Sequence, residues 1–575
     1  MRFEEALRIV SRRTGGKTRT VHLFCGFVPL HLETFLKAHL ALRFPEQNIA
    51  LKTGLFGDLE GNISQAAAEG AEGSVVILEW SDLDQRLGFR TSSGWSAQTL
   101  SDIVLQVEEK LRRLEAGLIL LASHLPLALA PPTIGLPPFS YLPPSQAGDS
   151  ELQLNALLAG FLHRLASHEG VRIVSAALLA VTSPQSARHD TKMDLRAGFP
   201  YTVTHADALA ELSARCLFPA SPKKGLITDL DRTLWKGILG DAGVEGISWS
   251  LEGKSQAHAL YQQVLASLAE SGLLVAIASK NDPAFVEAAL RRPDLLIDPA
   301  RIFPIEAGWG PKSESVGRIL AAWNIGADSV IFVDDSPMEL AEVAEKYPGI
   351  ECLRFPSEDP GAILDLLWQL RARFGRNEIR EEDRLRLASL RASASLKEAS
   401  ATEAPADFLA RLGAKVTFES AAGDPRAFEL VNKTNQFNLN GIRYTEAEWK
   451  DLLRRPGAFV AMVSYQDRFG PLGRIAVLGG CMRNDLCYVD IWVMSCRAFS
   501  RQIEFQSLNW LFEKTQTSEI GFQFKPTDRN GPLQTFFAQC FSGNTPPEGE
   551  VVLAADSYKN ICPALSHQVE DKWKM

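Results

Sequence analysis

Residues 226–235 read LITDLDRTLW, an apolar run that stops in two aspartates one residue apart, Asp229 and Asp231, with Thr233 two positions on. A buried strand running into a turn gives this pattern, and it sets both carboxylates at the strand's C-terminal end, where open α/β sheets hold their ligands. Later runs repeat the device. GLLVAIASKND (272–282) ends in Ser279 and Lys280, WGPKSES (309–315) supplies Lys312, and SVIFVDDSP (329–337) ends in Asp334 and Asp335. Together they suit phosphoryl chemistry. Carboxylates hold Mg2+, hydroxyls and lysines neutralise phosphate oxygens, and an aspartate attacks phosphorus.

The chain around this stretch has 575 residues, enough for about three domains. Its hydrophobic fraction of 46% and charged fraction of 22% are those of an ordinary globular protein rather than a disordered one. A net charge of -9 argues against nucleic acid or an anionic membrane as the partner. The charged start MRFEEALRIVSRRTGGKTRT has no apolar signal core, and no apolar run is long enough to span a bilayer. The eight cysteines include no C-x-x-C pair, which predicts reduced thiols in a cytoplasm and no cysteine-histidine zinc cluster.

Composition divides the chain into blocks. Residues 1–220 alternate strand-like runs (TVHLFCG, SVVILEW, AGLILLA) with helix-like ones (ELQLNALLAGFLHRLASH), which predicts an α/β domain with a parallel sheet. SPKKG resets the chain before a second α/β block at 221–375. NEIREEDRLRLASLRASASLKEASATEAPAD predicts a helix and linker over 376–406, and 407–575 mix short strands with a helix near Arg501 to Lys514, an α+β pattern.

In order and residue type the motifs of the second block resemble those of the haloacid dehalogenase-like superfamily. The resemblance implies that Asp229 is the nucleophile and Asp231 the general acid/base. It implies a Mg2+ site drawn from Asp229, Asp231, Asp334 and Asp335, with Asp334 and Asp335 sharing it and the direct ligand between them left open. Thr233, Ser279, Lys280 and Lys312 are the implied phosphate-binding residues. Only 45 residues lie between Thr233 and Ser279 and 32 between Ser279 and Lys312, too few for a full cap domain in either place. A capless Rossmann-like domain follows, its site either open or closed by another domain; an open site suits a substrate presented on a protein or a product handed to one.

DLDRTLWKGILGDAGVEGI, AIASKND, WGPKS, and downstream NKTNQFNLNGIRYTEAE and MSCRAFSR, narrow the resemblance to FkbH-like proteins, of haloacid dehalogenase-like subfamily IIIC. These dephosphorylate 1,3-bisphosphoglycerate and load the glyceryl group as a thioester on an acyl carrier protein in polyketide-type pathways. The partners implied are therefore a phosphorylated three-carbon substrate and the phosphopantetheine arm of a carrier protein. The first block resembles the flavodoxin/SGNH-like domain of longer members, without a Gly-Asp-Ser nucleophile after the first strand (FCGFVPL), so no catalysis is assigned to it. The third resembles the GNAT acetyltransferase fold in outline, but its turn CRAFSRQIE lacks glycine, so tightly bound acetyl-CoA is not expected.

Arg232 and Lys236 stand where the family commonly has Asn and Gly. By the same resemblance Asn432, Lys433, Asn435, Gln436, Asn438 and Arg497 line an acyl site, where amides orient glyceryl hydroxyls or the thioester carbonyl. Cys496, between a strand and a helix N-terminus and next to Arg497, is a candidate thioester carrier. The competing reading is a Mg2+-dependent phosphatase of another metabolite or phosphoprotein, whose third block binds a partner.

Overall fold

Strands without alternation, buried along their whole length, organise the two parallel sheets. β3 (Ser74–Ile77), β4 (Leu127–Ala130), β6 (Gly225–Thr228), β7 (Leu274–Ser279) and β9 (Val330–Asp334) expose no residue. Such strands need helices on both faces of their sheet. The computed structural model describes residues 1–12, 16–66, 70–92, 94–377, 379, 381–421 except 401–408, 423–468, 470–483, 486–495, 498–499, 501–541, 543 and 545–573. It divides into two units, Met1–Ser221 and Pro222–Met575, at the SPKKG reset.

In the first unit β1 (Thr18–Phe24), β2 (Asn48–Thr53), β3, β4 and β5 (Val171–Ile173) form a parallel sheet in the order β2-β1-β3-β4-β5, with an apolar cluster on each face. The run AGLILLA, read as a strand, is instead the last two turns of a helix, Ala97–Ala122. Period decides it. Leu111, Leu114, Leu118 and Leu121 recur at three- and four-residue steps and are buried, while Leu120 between them is 55% exposed.

The second unit holds two sheets. β8 (Ile302–Ala307) and β10 (Glu351–Arg354) complete a parallel sheet in the order β10-β9-β6-β7-β8. The adjacency β9-β6-β7 is what gathers the candidate residues, since Asp334, Asp229 and Ser279 end neighbouring strands. The helix Glu381–Ser400 packs at the opposite end of this sheet, where Arg386 donates to the Gly272 carbonyl (2.9 Å) and Arg391 to that of Ile302 (3.1 Å). The C-terminal ends of the strands thus stay clear of it.

The other sheet has seven strands, β11 (Lys415–Ser420), β12 (Ala458–Asp467), β13 (Gly470–Arg483), β14 (Leu486–Met494), β15 (Glu519–Phe524), β16 (Gly549–Ala554) and β17 (Gln568–Asp571), in the order β16-β15-β14-β13-β12-β11-β17. Its β14–β15 and β11–β17 pairs are parallel and the rest antiparallel. β14 and β15 pair only over Cys487–Val489 and Ile520–Phe522. Beyond that, residues 437–439 lie between them: Leu439 N–H donates to the Trp492 carbonyl and Met494 N–H to that of Phe437 (3.0 Å each), while Lys525 N–H donates to the Leu439 carbonyl at 3.1 Å. Among the described residues no helix is long and apolar enough to cross a membrane.

Gly225 opens β6 against the fully buried Trp323 ring, whose indole donates to the Phe303 carbonyl at 2.6 Å. A Cβ at Gly225 would lie 2.4 Å from that ring. Gly225→Ala should therefore destabilise the unit by about 1–3 kcal/mol, as over-packing does. Urea unfolding followed by tryptophan fluorescence measures it, and an unchanged midpoint would show that the ring yields freely.

Candidate active site

The turn after β6 is built by backbone bonds and held by one helix face. Asp229 N–H extends the ladder by donating to the Val333 carbonyl (3.0 Å), and the amides of Thr233 and Leu234 both return to the Leu230 carbonyl. Arg232 takes a left-handed conformation, φ +58°, to close the turn. On the helix Gln256–Glu270, His258, Tyr261 and Gln262 sit at the i, i+3, i+4 spacing that shares a face. His258 Nδ1 donates to the Thr233 carbonyl (3.0 Å), Gln262 to that of Leu234 (2.9 Å), and Tyr261 to Thr228 Oγ1 (3.0 Å). Burial lowers the His258 pKa against the opposing pull of the Thr233 bond, which keeps the ring a neutral strut.

Three buried groups and a half-buried one meet at the strand ends. Lys312, first residue of the helix Lys312–Trp323, donates from Nζ to Asp229 Oδ1 at 2.6 Å and to Asp334 Oδ2. Asp334 Oδ1 accepts from Ser336 N–H at 2.8 Å. One oxygen each from Asp229, Asp334 and Asp335 lies within 4.8 Å of the others, a set able to hold a metal ion. Burial pushes Asp229 up to about 7; Lys312 opposes that and Asp334 adds to it. Burial raises Asp334 and Asp335 too, and for Asp335 the neighbouring Asp334 adds to the rise while Arg232, 3.6 Å away, offsets it. Three carboxylates face one ammonium. An all-oxygen donor set with that surplus of negative charge fits a hard divalent cation.

Asp231 is not in that set. Its Oδ1 accepts from the Trp235 indole (3.0 Å) and Leu239 N–H (2.9 Å), its Oδ2 from Asn281 (2.9 Å), so three donors fix the carboxylate beside the cluster. Asn281 also donates to Ser279 Oγ at 3.0 Å. Thr233 is fully buried and its Oγ1 has no partner, an orphan that a ligand oxygen would satisfy. Lys280 turns instead to Glu339, 2.8 Å away. Asn281, Glu339 and the helix face at 258–262 were not singled out in the sequence. Asn281 was legible, two positions from Ser279 on a strand-like run, and so was the i, i+3, i+4 spacing; Glu339 carried no signal.

The downstream polar residues are used mostly on their own backbone. Asn432 brackets Tyr444, donating to its carbonyl (3.1 Å) and accepting from its N–H (2.8 Å). Asn438 donates to the Thr434 carbonyl and accepts from the amides of Asn440 and Gly441. Asn435 accepts from Arg443, and Lys433 pairs with Glu429. Gln436 alone keeps a buried Oε1 without a partner. Cys496 and Arg497 lie outside the described residues. Arg501, fully buried, faces Asp467 at 3.4 Å.

No protein-family profile matches the chain, and no curated protein does. Solved structures do. One is the N-terminal part of the protein BF1531 from Bacteroides fragilis, described as containing a phosphatase domain and complexed with Mg. It is 22% identical, with a TM-score of 0.52 over 66% of this chain and 100% of that one. Another is an uncharacterized protein from Corynebacterium glutamicum, 18% identical over 27% of this chain and 98% of that one, TM-score 0.19. The first likeness shows the fold, a mixed α/β chain with parallel sheets.

Next to the polar cluster, burial would raise the Glu429 carboxyl, but Arg426 and Lys433 together outweigh it and hold it at about 2. A carboxylate depressed in the fold contributes stability above its unfolded pKa of about 4.3 and loses it as pH falls towards the folded value. Glu429→Gln should thus be less stable than the parent at pH 6, with the gap closing between about pH 4 and pH 2. Chemical denaturation across that range measures it. A gap independent of pH would assign the loss to packing.

Proposed function

We propose that the chain is a magnesium-dependent phosphatase of the haloacid dehalogenase-like kind. Its FkbH-like task is to dephosphorylate 1,3-bisphosphoglycerate and load the glyceryl group as a thioester on an acyl carrier protein, in the cytoplasm. The observation that carries the phosphoryl half is the Lys312 ammonium lying between Asp229 and Asp334, because it joins three separate sequence motifs at one point. The neighbour described with Mg supports the choice of ion. Held by Asp229, Asp334 and Asp335, Mg2+ would supply charge neutralisation to the phosphoryl oxygens.

The remaining roles belong to the chain's own residues. The oxygen of Asp229 attacks phosphorus as the P–O bond to the sugar-acid oxygen breaks, and Asp231 in its acid form gives that oxygen a proton. Asp231 then takes a proton from the water that hydrolyses the aspartyl phosphate, releasing phosphate and restoring Asp229. Lys312, Ser279 and the Thr233 hydroxyl offset charge on the transferring group. In the acyl half, a C–S bond to the carrier's pantetheine thiol forms as the acyl C–O bond to the 1-phosphate breaks, directly or by way of Cys496. The SGNH-like and GNAT-like readings of the flanking domains belong to this proposal. Gln436, with its unpaired oxygen, is the amide best placed to serve an acyl ligand.

A second reading has one observation in its favour. Since Asn432 and Asn438 spend their amides on backbone, the third sheet's role reduces to holding a partner, and the substrate becomes another phosphorylated metabolite or a phosphoprotein.

Asp229→Asn should lower phosphate release to below about 1% of the parent rate, and chelation of Mg2+ should do the same without loss of the folded state. Turnover of more than a few per cent in that variant removes Asp229 as nucleophile. Intact-mass analysis of a carrier protein incubated with enzyme, Mg2+ and 1,3-bisphosphoglycerate decides between the two readings. A glyceryl increment on the pantetheine arm is expected; phosphate release without it selects the second reading.

A further inference from the structure

In the first unit the chain steps from β1 outward to β2 and then back across to β3, so the sheet changes direction between β1 and β3. Open parallel sheets bind ligands at that switch point, beyond the carboxyl ends of the strands. A cavity of about 940 Å3 lies there, entered between residues that follow β1, β2 and β3. That volume is at the upper end of small-molecule sites, which run from about 300 to 1,000 Å3.

Most of its charged side chains are ion-paired, apart from the carboxylates of Glu79 and Asp82, which accept from backbone and hydroxyl donors. Asp84 and Asp102 both pair with Arg86 (2.6 and 2.8 Å), Lys110 pairs with Glu60 (2.8 Å), and His189 donates to Asp194 (2.9 Å). Arg90 is different: among the described residues it has no carboxylate partner. Its guanidinium rests on the backbone of Gly198, where a Cβ would come within 2.3 Å of Nη1 and where φ is +70°. The left-handed backbone favours glycine there, while the guanidinium is the mobile end of an exposed side chain that a Cβ would only displace.

Two aromatic rings at the cavity are incompletely covered, Phe56 at 60% and Phe89 at 37% exposure. The groups that could act as nucleophile or base are engaged. Asp82 accepts from the Glu79 N–H at 2.8 Å, Glu79 accepts from Thr133, Ile134 and Tyr201, and the neighbouring Cys25 thiol donates to the Phe27 carbonyl at 3.1 Å. The cavity is equipped to bind, not to react.

We propose that this crevice binds a small aromatic anion, the anionic group taken by Arg90 and the ring covering Phe56 and Phe89. A guanidinium presents a planar pair of donors to a carboxylate, sulfonate or phosphate, and a ring laid on exposed aromatic carbon removes apolar surface from water. The inference is independent of the phosphatase reading, because no residue of the carboxylate cluster takes part in it.

The test uses the full chain and 2-naphthalenesulfonate, an aromatic anion with no phosphoester to hydrolyse, in titration calorimetry. Saturable one-to-one binding is expected, weakened at least tenfold in Arg90→Gln and in Phe56→Ser, with unchanged circular dichroism in both. Neutral 2-naphthalenemethanol should bind at least tenfold more weakly than the sulfonate. Absence of saturable binding at millimolar probe, equal affinity in Arg90→Gln, or equal affinity for the neutral alcohol would each overturn the proposal. Both variants change exposed side chains, so a folding failure is not the expected outcome, and Phe56→Ser gives a reading independent of charge.

Discussion

The second unit depends on one contact, the ammonium of Lys312 held between the carboxylates of Asp229 and Asp334. All three side chains are buried, and stripping water from charged groups costs several kcal/mol per ion unless partners repay it. The arrangement stands only if three chain segments, far apart in sequence, deliver their charges to one point. That requirement fits the sheet order around it, because β9 and β6 are neighbours and so bring Asp334 and Asp229 together. It also leaves a surplus of negative charge, since a third carboxylate, Asp335, joins the group, offset by Arg232 and by the same Lys312 ammonium.

A loop that carries a buried carboxylate has to be rigid, and here its rigidity is borrowed from a helix. His258, Tyr261 and Gln262 hold the turn by backbone carbonyls and by the Thr228 hydroxyl rather than by the catalytic candidates themselves. The turn is thus pinned through its main chain, and the Asp229 side chain faces Lys312 rather than holding the loop. Asp231 is treated in the opposite way, with both oxygens committed to donors, which fixes its position at the expense of its freedom. Two carboxylates separated by one residue receive different environments from the same turn.

How far this was legible in the sequence depends on whether a feature is local. The parallel sheets were, because a doubly covered strand is an uninterrupted apolar run and its end is marked by the first charged or hydroxyl residue, as at Asp229, Ser279 and Asp334. AGLILLA misled because an apolar run of seven fits a strand as well as a buried helix face; only its continuation from Leu111 shows the helical period. Lys280 was read from its place beside Ser279, but its side chain projects to Glu339, a direction that the next helix sets. The amides at 432–438 were read as an acyl surface from the family resemblance, since a polar cluster by itself reads as solvated loop. Their partners, the backbone of Tyr444 and of residues 434–441, are invisible until the chain has folded back on itself.

The first strand of the seven-stranded sheet, β11, has β17 as its outer neighbour, and the bond from Thr417 to Glu570 joins residues 153 positions apart. Contacts of that span are costly to close and slow a sheet's folding. Until β17 arrives, β11 presents an open edge with unpaired main-chain groups, the kind of surface on which foreign strands can add. A nascent chain emerging from the ribosome would carry that exposed edge through the synthesis of everything between, so this sheet is where assistance by a chaperone would matter most.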